Sequence, residues 1–277
     1  MENESETDQY GVMGHPVAHS MSPFIHGVFA RQTDQKISYR LLDVIPEKFA
    51  AEVRKFAAQG GKGLNITVPH KVAAFEITET NTRRAEAARS ANTLVLGEDG
   101  EILADNTDGA GLVTDLVENL NFKLEDRRIL ILGAGGAVRG LLGPVIAQNP
   151  KLVVIANRTP NNALELVDEL GISSFVETTG LDELTDNTFH LIINGTSANL
   201  FDKRPPISAD LFTRHTLCYD LNYGRQETPF TRWAAQNGAR ATMGWGMLVE
   251  QAAESFYMWR GVKPNTIPVL QSLLKRP

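Results

Sequence analysis

The sequence is poor in cysteine, in basic residues and in long apolar runs, and each shortage excludes a class of protein. Cys218 is the single cysteine among 277 residues, which excludes an internal disulfide and a cysteine-based zinc site. The 27 basic residues are outnumbered by 33 acidic ones, so the formal net charge is −6. This balance argues against nucleic-acid binding, which usually shows a concentrated basic patch. No apolar run approaches the roughly 20 residues that a membrane-spanning helix needs.

The amino-terminal segment and the single thiol favour a cytoplasmic protein. The first ten residues, MENESETDQY, are polar and acidic, unlike a secretory signal. A single cysteine is typical of a reducing compartment. His15 and His19 are four positions apart, but a proline follows His15 and no third ligand is evident in the sequence. We therefore expect a cytoplasmic protein that binds no metal, no nucleic acid and no membrane.

What the sequence does contain is the composition of a folded globular protein. Apolar residues make up 42% of the chain and charged residues 22%, which leaves enough apolar surface to bury a core. The length suits one large domain or two smaller ones. Short apolar runs alternate with amphipathic helical stretches along the chain. This alternation predicts an α/β fold with largely parallel sheets.

The same pattern predicts the individual elements. Strands are predicted at residues 10–13, 39–45, 64–68, 127–132, 152–156, 191–194 and 217–221, and a hairpin at 91–105 with its turn at 98–100. Helices are predicted at residues 23–31, capped by Ser22, then from Pro46 onward, and at 109–120, 246–260 and 267–275. The helix at 109–120 is expected to bridge two lobes, and helix 246–260 is expected to return to the N-terminal lobe.

A glycine-rich turn follows the strand predicted at residues 127–132. The turn consists of Gly133, Ala134, Gly135, Gly136 and Ala137. Glycine at its first position permits a tight strand-to-helix turn, and glycine at its third lets the backbone approach a pyrophosphate at the helix amino terminus. Val138 stands where the full dinucleotide-binding pattern has its last glycine, so a turn that only packs strand on helix is the alternative. The strand before it and the helix after it favour dinucleotide binding.

The tip of the next strand indicates which dinucleotide is bound. An NAD site usually has an acidic residue about 20 positions after the glycines, where it binds the ribose 2′-hydroxyl. Here the strand at 152–156 is followed by Asn157, Arg158 and Thr159. Arginine attracts a 2′-phosphate and donates hydrogen bonds to it, so Arg158 favours NADP. A solvated surface arginine is the alternative.

The run at residues 64–68 and the lysine after it suit a binding cleft. In an extended chain Asn65 and Thr67 face one side, and the apolar residues between them face the other. Lys71 follows at the opening of a helix, where a cation opposes the helix dipole and needs another reason to be present. An edge strand with one solvent face and a surface lysine explains the pattern equally well.

Other segments place polar residues where a strand or loop ends. Ser20 and Ser22 precede a helix. Asn92 lies at the start of the hairpin, and Asp108 precedes the helix at 109–120. Taken singly, each has a structural explanation as a helix cap or a turn residue. Gln251 lies on an apolar helix face, where its amide needs a partner on another helix or on a ligand.

Together these segments resemble the shikimate dehydrogenase family over nearly the whole chain. Nine motifs in this order carry the resemblance, and each alone is weak. The motifs are Ser20-Met-Ser-Pro23, Asn65-Ile-Thr-Val-Pro-His-Lys71, Ser90-Ala-Asn-Thr93, Asn106-Thr-Asp-Gly109, Gly133-Ala-Gly-Gly-Ala137, Asn157-Arg-Thr159, Asn194-Gly-Thr-Ser197, Tyr219-Asp-Leu-Asn-Tyr223 and Gly246-Met-Leu-Val-Glu-Gln251.

The resemblance implies a fold, an activity and partners. It implies a two-lobed α/β protein, with a substrate-binding domain at residues 1–108 that is completed by C-terminal helices at 245–277. A Rossmann-like NADP-binding domain is implied at residues 109–244. The implied activity is the reversible, NADPH-dependent reduction of 3-dehydroshikimate to shikimate, a step towards chorismate and the aromatic amino acids. The implied partners are these small molecules, and we expect a monomer or a homodimer.

The resemblance also implies roles for particular residues. Residues like Lys71 and Asp108 flank the reacting hydroxyl, and we expect Lys71 to transfer the proton with Asp108 as its partner. The sequence leaves open which of the two is the formal acid or base. The implied substrate-binding residues are Ser20, Ser22, Asn65, Thr67, Asn92, Tyr223 and Gln251, with the serines on the carboxylate. The implied cofactor-binding residues are Gly133, Ala134, Gly135, Gly136, Ala137, Asn157, Arg158, Thr159, Thr196, Leu221 and Gly244.

Two other functions compete with this expectation. An NAD-dependent enzyme that also oxidises quinate is one, but Arg158 and the serine pair argue against it. A second basic residue, common after the arginine in NADP-using relatives, is absent from positions 159–162. A non-catalytic sensor with the same fold is the other competitor, and it has no need of the proton-transfer pair Lys71 and Asp108.

Overall fold

The computed structural model describes residues 7–184 and 188–275. The described chain divides into two compact units. Unit 1 holds the chain up to Gly111 together with Leu248–Leu274, and unit 2 runs from Leu112 to Met247. The chain therefore passes between the units at 111/112 and 247/248, where the sequence-based division places the boundaries at 108/109 and 244/245. The binding roles expected for the two units stay predictions.

The elements alternate between strand and helix, and the α/β fold class predicted from the sequence is confirmed. The strands are β1 (Asp8–Gly14), β2 (Ile37–Asp43), β3 (Gly61–Ile66), β4 (Thr80–Asn81), β5 (Thr93–Leu96), β6 (Ile102–Asp105), β7 (Arg128–Leu132), β8 (Leu152–Asn157), β9 (Val176–Gly180), β10 (Leu191–Asn194), β11 (Leu217–Asp220) and β12 (Arg240–Met243). The helices are α1 (Ser22–Gln32), α2 (Phe49–Ala58), α3 (Lys71–Glu76), α4 (Arg83–Ala88), α5 (Asp108–Thr114), α6 (Gly136–Ile146), α7 (Pro160–Glu169), α8 (Pro229–Gln236), α9 (Trp245–Arg260) and α10 (Ile267–Leu274).

Unit 1 is built on a mixed six-stranded sheet in the order β2-β1-β3-β5-β6-β4. β1 pairs in parallel with β2 and β3, so the carboxyl ends of these three strands lie at one edge of the sheet. The hairpin β5–β6 joins β3 in antiparallel orientation. Apolar side chains from β3, β5 and α2, among them Leu64, Leu94 and Phe56, form its core. This arrangement gathers the loops after β1 and β3 and the start of β5 at the same edge.

Unit 2 is built on a fully parallel sheet in the order β12-β11-β10-β7-β8-β9. The strand order reverses between β7 and β10, as in doubly wound dinucleotide-binding folds. Its strands are near-continuous apolar runs such as 128–132, because helices cover both faces of a parallel sheet. Ligands of such sheets bind outside the carboxyl ends of the strands at the point of reversal. The glycine-rich turn after β7 lies at that point.

The start of β3 differs from the prediction. The sequence places the strand at residues 64–68, but β3 begins at Gly61 and ends at Ile66. Glycines usually weaken a strand, yet here Gly63 has a packing reason. A Cβ at Gly63 would lie 2.4 Å from Nε1 of Trp259, whose indole donates to the carbonyl of Leu94 at 3.0 Å.

Two predicted helix starts are also wrong. Ser22 does not cap α1, because the helix begins at Ser22 itself, Met21 occupies the capping position, and no side chain caps the end. Pro23 lacks the N–H that a cap would otherwise satisfy. At Pro46 the chain first forms a 3₁₀ turn, Pro46–Lys48, and α2 begins at Phe49. β4, β9 and β12 were not predicted from the sequence.

The helix predicted at residues 109–120 changes geometry halfway. α5 ends at Thr114 and a π-helical turn, Asp115–Asn119, continues it. Single π turns inside helices often mark functional positions. Within the described parts of the chain, no helix combines the length and the apolar character needed to cross a bilayer.

Candidate active site

Lys71 and Asp108 form a buried ion pair in unit 1. Lys71 opens α3 after the loop that leaves β3, and Asp108 opens α5 after β6. Nζ of Lys71 lies 2.5 Å from Oδ2 of Asp108, and the two side chains are 13% and 5% exposed. Burial removes competing water, so this charge-assisted hydrogen bond is stronger than a surface pair. The lysine at this helix start is therefore not a solvated surface residue.

Asn92 holds the carboxylate of Asp108 from the other side. Its amide nitrogen donates to Oδ1 of Asp108 at 2.9 Å and to Oε1 of Gln251 at 3.0 Å. Its amide oxygen accepts from the backbone N–H of Thr107 at 2.8 Å. The backbone N–H can only donate, so the orientation of the amide is fixed. Asn92 thus links the ion pair to Gln251 on α9.

Gln251 is placed by a close approach of two helices. Its amide nitrogen donates to the carbonyl of Leu248 at 2.7 Å, one turn earlier on α9. A Cβ at Gly111 on α5 would lie 2.6 Å from the backbone nitrogen of Gln251. Only glycine permits that contact. The sequence predicted that this amide would bind either another helix or a ligand. In the structure the side chain of Gln251 hydrogen-bonds Leu248 and Asn92, and both residues belong to unit 1.

Asn65 is the centre of a second set of hydrogen bonds. Its oxygen accepts from the hydroxyl of Tyr39 at 2.7 Å and from Nε2 of His26 at 3.1 Å. Its nitrogen donates to Oγ of Ser255 at 2.9 Å and to the backbone oxygen of Asn92 at 3.3 Å. Burial lowers the pKa of His26 to about 3. The ring is therefore neutral and donates through Nε2.

The serine pair and Thr67 complete the predicted residues of unit 1. Oγ of Ser20 donates to Oγ of Ser22 at 3.1 Å, and Ser22 is buried in the first turn of α1. Helix amino termini favour anions. Thr67 lies just beyond β3, and its methyl group occupies the space that a side chain at Gly14 would fill. Hydrogen bonds connect the two serines to each other, and they connect Asn65 through Asn92 to the ion pair.

In unit 2 the glycine-rich turn has the backbone that its sequence requires. Gly133 has φ +101°, a conformation that side chains rarely adopt, and its N–H donates to the carbonyl of Ala156 at 2.8 Å. Gly135 and Gly136 are exposed, and a Cβ on either would meet no atom within 4 Å. Ala134 and Ala137 are half-buried beside them. This open edge at the amino terminus of α6 fits a pyrophosphate.

The departure of Val138 from the glycine pattern has a packing explanation. Val138 is fully buried in the core of unit 2. A Cβ at Gly195 would lie 2.5 Å from Cγ2 of Val138. The helix thus carries a valine where the pattern has a glycine, and the loop after β10 carries a glycine that leaves room for it. Thr196, the next residue, donates to Oδ1 of Asn194 through its N–H at 3.1 Å and its hydroxyl at 2.8 Å.

The tip of β8 presents an exposed arginine. Asn157 ends the strand, and its amide donates to the carbonyl of Thr159 at 2.8 Å, which closes a tight turn before α7. Arg158 is exposed at the top of that turn. The turn carries no acidic residue that would repel a phosphate. This arrangement fits a 2′-phosphate better than a bare ribose hydroxyl.

Two further predicted positions lie near the end of β11. A Cβ at Gly244 would lie 2.6 Å from the carbonyl oxygen of Leu221, so only glycine permits the chain to pass there. The ring of Tyr223 contacts the ring of Trp245, with centroids 4.7 Å apart. Burial raises the pKa of Tyr223. Leu221 and Gly244 belong to unit 2 like the other predicted cofactor-binding residues. Tyr223 also belongs to unit 2, whereas the other predicted substrate-binding residues belong to unit 1.

Sequence reasoning missed a buried carboxylate in unit 2. Asp115 accepts from the hydroxyl of Tyr219 at 2.6 Å and from Asn119 at 2.9 Å, and burial raises its pKa. A Cβ at Gly246 would lie 1.8 Å from its Oδ1. The carboxylate therefore lies against the amino terminus of α9, where negative charge is favourable. The signal in the sequence was an acidic residue between Leu112 and Leu116 on an otherwise apolar helix face.

Tyr39, His26, Thr107 and Ser255 were also missed as members of the polar network of unit 1. Their signal was weak, because an isolated histidine or tyrosine in an apolar element is usually a core residue. In the described part of the chain, no group of three or more His, Cys, Asp or Glu side chains is arranged to hold a metal ion.

Models of known families match the chain in three segments. Residues 12–94 match the shikimate dehydrogenase substrate binding domain, residues 115–204 match shikimate / quinate 5-dehydrogenase, and residues 244–274 match the shikimate 5′-dehydrogenase C-terminal domain. A shikimate dehydrogenase (NADP(+)) from Methylococcus capsulatus strain Bath is 48% identical over 270 residues, which cover 97% of each chain.

Solved structures agree with this similarity. An Ael1 enzyme from Pseudomonas putida is 45% identical, with a TM-score of 0.89 over 98% of this chain and 99% of that one. Shikimate 5-dehydrogenase from Thermus thermophilus, in complex with NADP(H) and shikimate, is 29% identical, with a TM-score of 0.85 over 96% of this chain and 98% of that one. The resemblance inferred from nine short motifs is confirmed, and this chain belongs to the shikimate dehydrogenase family.

Proposed function

We propose that this protein is an NADP-dependent shikimate dehydrogenase, which interconverts 3-dehydroshikimate and shikimate on the route to chorismate and the aromatic amino acids. The observation that carries the proposal is the buried pair of Lys71 and Asp108, 2.5 Å apart and linked through Asn92 to Gln251. A binding protein without catalysis has no need of a proton-transfer pair in this place. Family membership supports the reaction, and the pair supplies its acid–base chemistry.

Lys71 is assigned the proton transfer, with Asp108 as its partner. During reduction the Lys71 ammonium group gives a proton to the oxygen of the substrate as the carbonyl becomes an alcohol. During oxidation the neutral amine takes that proton back. Asp108 keeps the ammonium oriented through its Oδ2, while Asn92 holds the other carboxylate oxygen. The aspartate is thereby prevented from turning away from the lysine.

The remaining polar residues are assigned to substrate binding. Ser20 and Ser22 at the start of α1 bind the carboxylate, where the helix dipole adds to their hydroxyl donors. Thr67 and Gln251 bind the ring hydroxyls, and Tyr223 is likewise assigned to substrate binding. Asn65 and Asn92 are already hydrogen-bonded within the protein. Their amide nitrogens therefore donate to the substrate in addition to their partners within the protein.

The glycine-rich turn and the β8 tip are assigned to NADP. When bound, NADP supplies the hydride exchange that an alcohol–ketone conversion requires. The turn from Gly133 to Ala137 holds the pyrophosphate, and Arg158 between Asn157 and Thr159 holds the 2′-phosphate. Leu221 and Gly244 would line the nicotinamide side, and Thr196 is assigned to cofactor binding without a specified part of the cofactor. These small molecules are the proposed partners, the proposed location is the cytoplasm, and the proposed assembly is a monomer or a homodimer.

The test is the absorbance of reduced nicotinamide in four reactions: shikimate or quinate, each with NADP or NAD. We expect fast signal with shikimate and NADP. Faster signal with quinate and NAD would contradict the proposed specificity while keeping the hydride chemistry. Binding of shikimate without signal in any reaction, by folded protein, would overturn the proposal in favour of a sensor. The Lys71→Ala variant, purified in the same way, controls for contaminating dehydrogenase.

A further inference from the structure

Asp105 is a buried carboxylate that the proposed mechanism does not use. It is the last residue of β6, three positions before Asp108, and its side chain is 0% exposed. Oδ2 accepts from Nη2 of Arg84 in a close ion pair. Oδ1 accepts from Nε of Arg84 at 3.1 Å, from the hydroxyl of Thr82 and from the backbone N–H of Asn106 at 2.7 Å. Four donors therefore surround this carboxylate.

A carboxylate buried to this extent is costly unless its partners are held in good geometry. Removing two charges from water often costs more than their attraction returns, so a buried pair is weak evidence for stability. In some proteins such pairs select one arrangement of the groups around them. Arginine suits this task, because its planar guanidinium donates to both carboxylate oxygens at once. The question is therefore which arrangement the pair of Arg84 and Asp105 selects.

The turn between β6 and α5 is held by this carboxylate. The backbone N–H of Asn106 donates to Asp105, which fixes the first peptide after the strand. Oδ1 of Asn106 accepts from the backbone N–H of Asp108 at 3.2 Å, and Nδ2 donates to the carbonyl of Ser90 at 3.0 Å. The backbone oxygen of Asp105 accepts from the N–H of Asn92 at 3.0 Å. Asp105 thus holds the backbone of Asp108 through Asn106 and the backbone of Asn92 directly.

Arg84 extends the same set of contacts to α9. Its Nη1 donates to Oε2 of Glu254 at 3.3 Å, and Glu254 lies three positions after Gln251 on that helix. Oε1 of Glu254 is 3.3 Å from Nζ of Lys263. The guanidinium therefore connects the end of β6 with the helix that carries Gln251, the residue that accepts from the amide of Asn92.

We propose that Arg84 and Asp105 are positioning residues for the proton-transfer pair. Their ion pair holds the turn from Asn106 to Asp108, so that the carboxylate of Asp108 faces Lys71. The two residues act through the backbone of this turn and do not touch the substrate. This inference rests on the proposed function, because it takes Lys71 and Asp108 to move the proton.

The variant Arg84→Lys tests the proposal, because it keeps the charge and removes the bridge across both oxygens of Asp105. We expect kcat for shikimate oxidation to fall about 10- to 100-fold, since small displacements of reacting groups have effects of this size. The KM for shikimate stays within about twofold, because the serines at the start of α1 are not part of these contacts. Arg83→Lys, at the adjacent exposed position of α4, is the matched control and leaves both constants unchanged.

Counting binding sites separates positioning from a loss of folded protein. Isothermal titration with shikimate gives the fraction of each preparation that binds the substrate, and kcat is then expressed per binding site. A purely structural role of Arg84 lowers the number of sites and leaves the kcat per site unchanged. A positioning role lowers the kcat per site.

The variant Asn106→Ala is a second test that leaves the ion pair intact. It removes the acceptor for the N–H of Asp108, so we expect a similar fall in kcat per site. This variant decides the question if Arg84→Lys does not fold. A normal kcat per site in either folded variant would overturn the inference. If the wild-type protein binds shikimate without turning it over, the proposed function fails, whereas normal turnover by wild type and variants alike overturns only this inference.

Discussion

Lys71 occupies a position that the helix dipole disfavours. It is the first residue of α3, where a positive charge costs about 0.3–1 kcal/mol, and its side chain is 13% exposed. Asp108 opens α5, where a carboxylate is favourable. The two helix starts therefore place a disfavoured cation beside a favoured anion, and their contact offsets the cost at Lys71. A charge arrangement of this kind is expected where a proton is moved.

Replacing Lys71 by alanine tests the role of this pair. We expect kcat for shikimate oxidation to fall by about 100- to 10,000-fold, the usual contribution of a positioned acid–base group. The KM for shikimate changes little, because the serines and Gln251 still bind the substrate. Steady-state kinetics with saturating NADP measure both constants. Lys48→Ala, which removes an exposed lysine of the same unit, is the control. A large rise in KM at normal kcat would show that Lys71 only binds.

Arg158 controls the choice of cofactor at the level of one side chain. In Arg158→Ala we expect the KM for NADP to rise about 10-fold, because a charge-assisted hydrogen bond to phosphate is lost. The KM for NAD stays the same, since NAD lacks that phosphate. Both values come from initial rates with shikimate in excess. Arg240→Ala, an exposed arginine on β12, should alter neither. Equal effects of Arg158→Ala on the two cofactors would remove the 2′-phosphate assignment.

At the scale of elements, the turn between β7 and α6 depends on one backbone conformation. Gly133 has φ +101°, and a Cβ there would lie 3.1 Å from the carbonyl oxygen of Gly195. Position 133 therefore excludes a side chain for two reasons, the strain of its backbone conformation and the close approach of Gly195. The side chain of Val138 on α6 also packs against this loop, at Gly195. Strand, turn and loop are thus fitted to one another through glycines that belong to different segments.

Substituting Gly133 by alanine measures this constraint. We expect the free energy of unfolding to fall by about 1–3 kcal/mol, because a side chain is forced into a left-handed conformation. Urea denaturation followed by circular dichroism gives the value. Gly27→Ala is the matched control, since a Cβ there would meet only the end of Arg31 at 3.7 Å. Alanine is favoured over glycine inside a helix by up to about 1 kcal/mol, so this control is neutral or stabilising. A Gly133→Ala protein as stable as the wild type would contradict the argument.

At the scale of the whole molecule, several titrating groups make the fold sensitive to acid. Burial lowers the pKa of His26 to about 3 and lowers the pKa of His70 and His190. Hydrogen bonds from His15 and Lys62 lower the pKa of Asp43 and Glu98, respectively. In every case the unfolded chain binds a proton at a pH at which the folded chain does not. Stability is therefore lost as the pH falls.

His26 is expected to contribute most of the histidine part of this loss. Between its ordinary pKa of 6.5 and its folded pKa of about 3, the free energy of unfolding falls by up to about 1.4 kcal/mol per pH unit. His26→Gln keeps a donor for Asn65 and removes the titration. Urea unfolding at pH 7, 6 and 5 should give a shallower slope for this variant. His215→Gln, at an exposed position of unit 2, should keep the wild-type slope. Parallel slopes for His26→Gln and wild type would refute the assignment.

Local chemistry determined much of this protein from sequence alone. The period of apolar residues predicted the α/β class, because burial on one face is a property of the segment itself. The run Gly133–Ala137 predicted a turn, because only glycine adopts a positive φ cheaply. Nine motifs in a fixed order identified the family, because together they combine backbone constraints with polar groups. Element boundaries such as the start of β3 were predicted less accurately. Glycines usually indicate a break in a strand, whereas Gly63 lies inside β3 because a side chain there would overlap Trp259.

Only the tertiary structure decided which polar residues meet. Lys71 and Asp108 are 37 positions apart, and Asn92 and Gln251 are 159 apart. No periodicity in the sequence links such residues, because their contact depends on how the strands of the sheet are ordered. Tyr39 and His26 read as ordinary core residues in sequence, and the fold turned them towards Asn65. The sequence therefore specified the chemical groups, whereas sheet order and close approaches at glycine determined their distances.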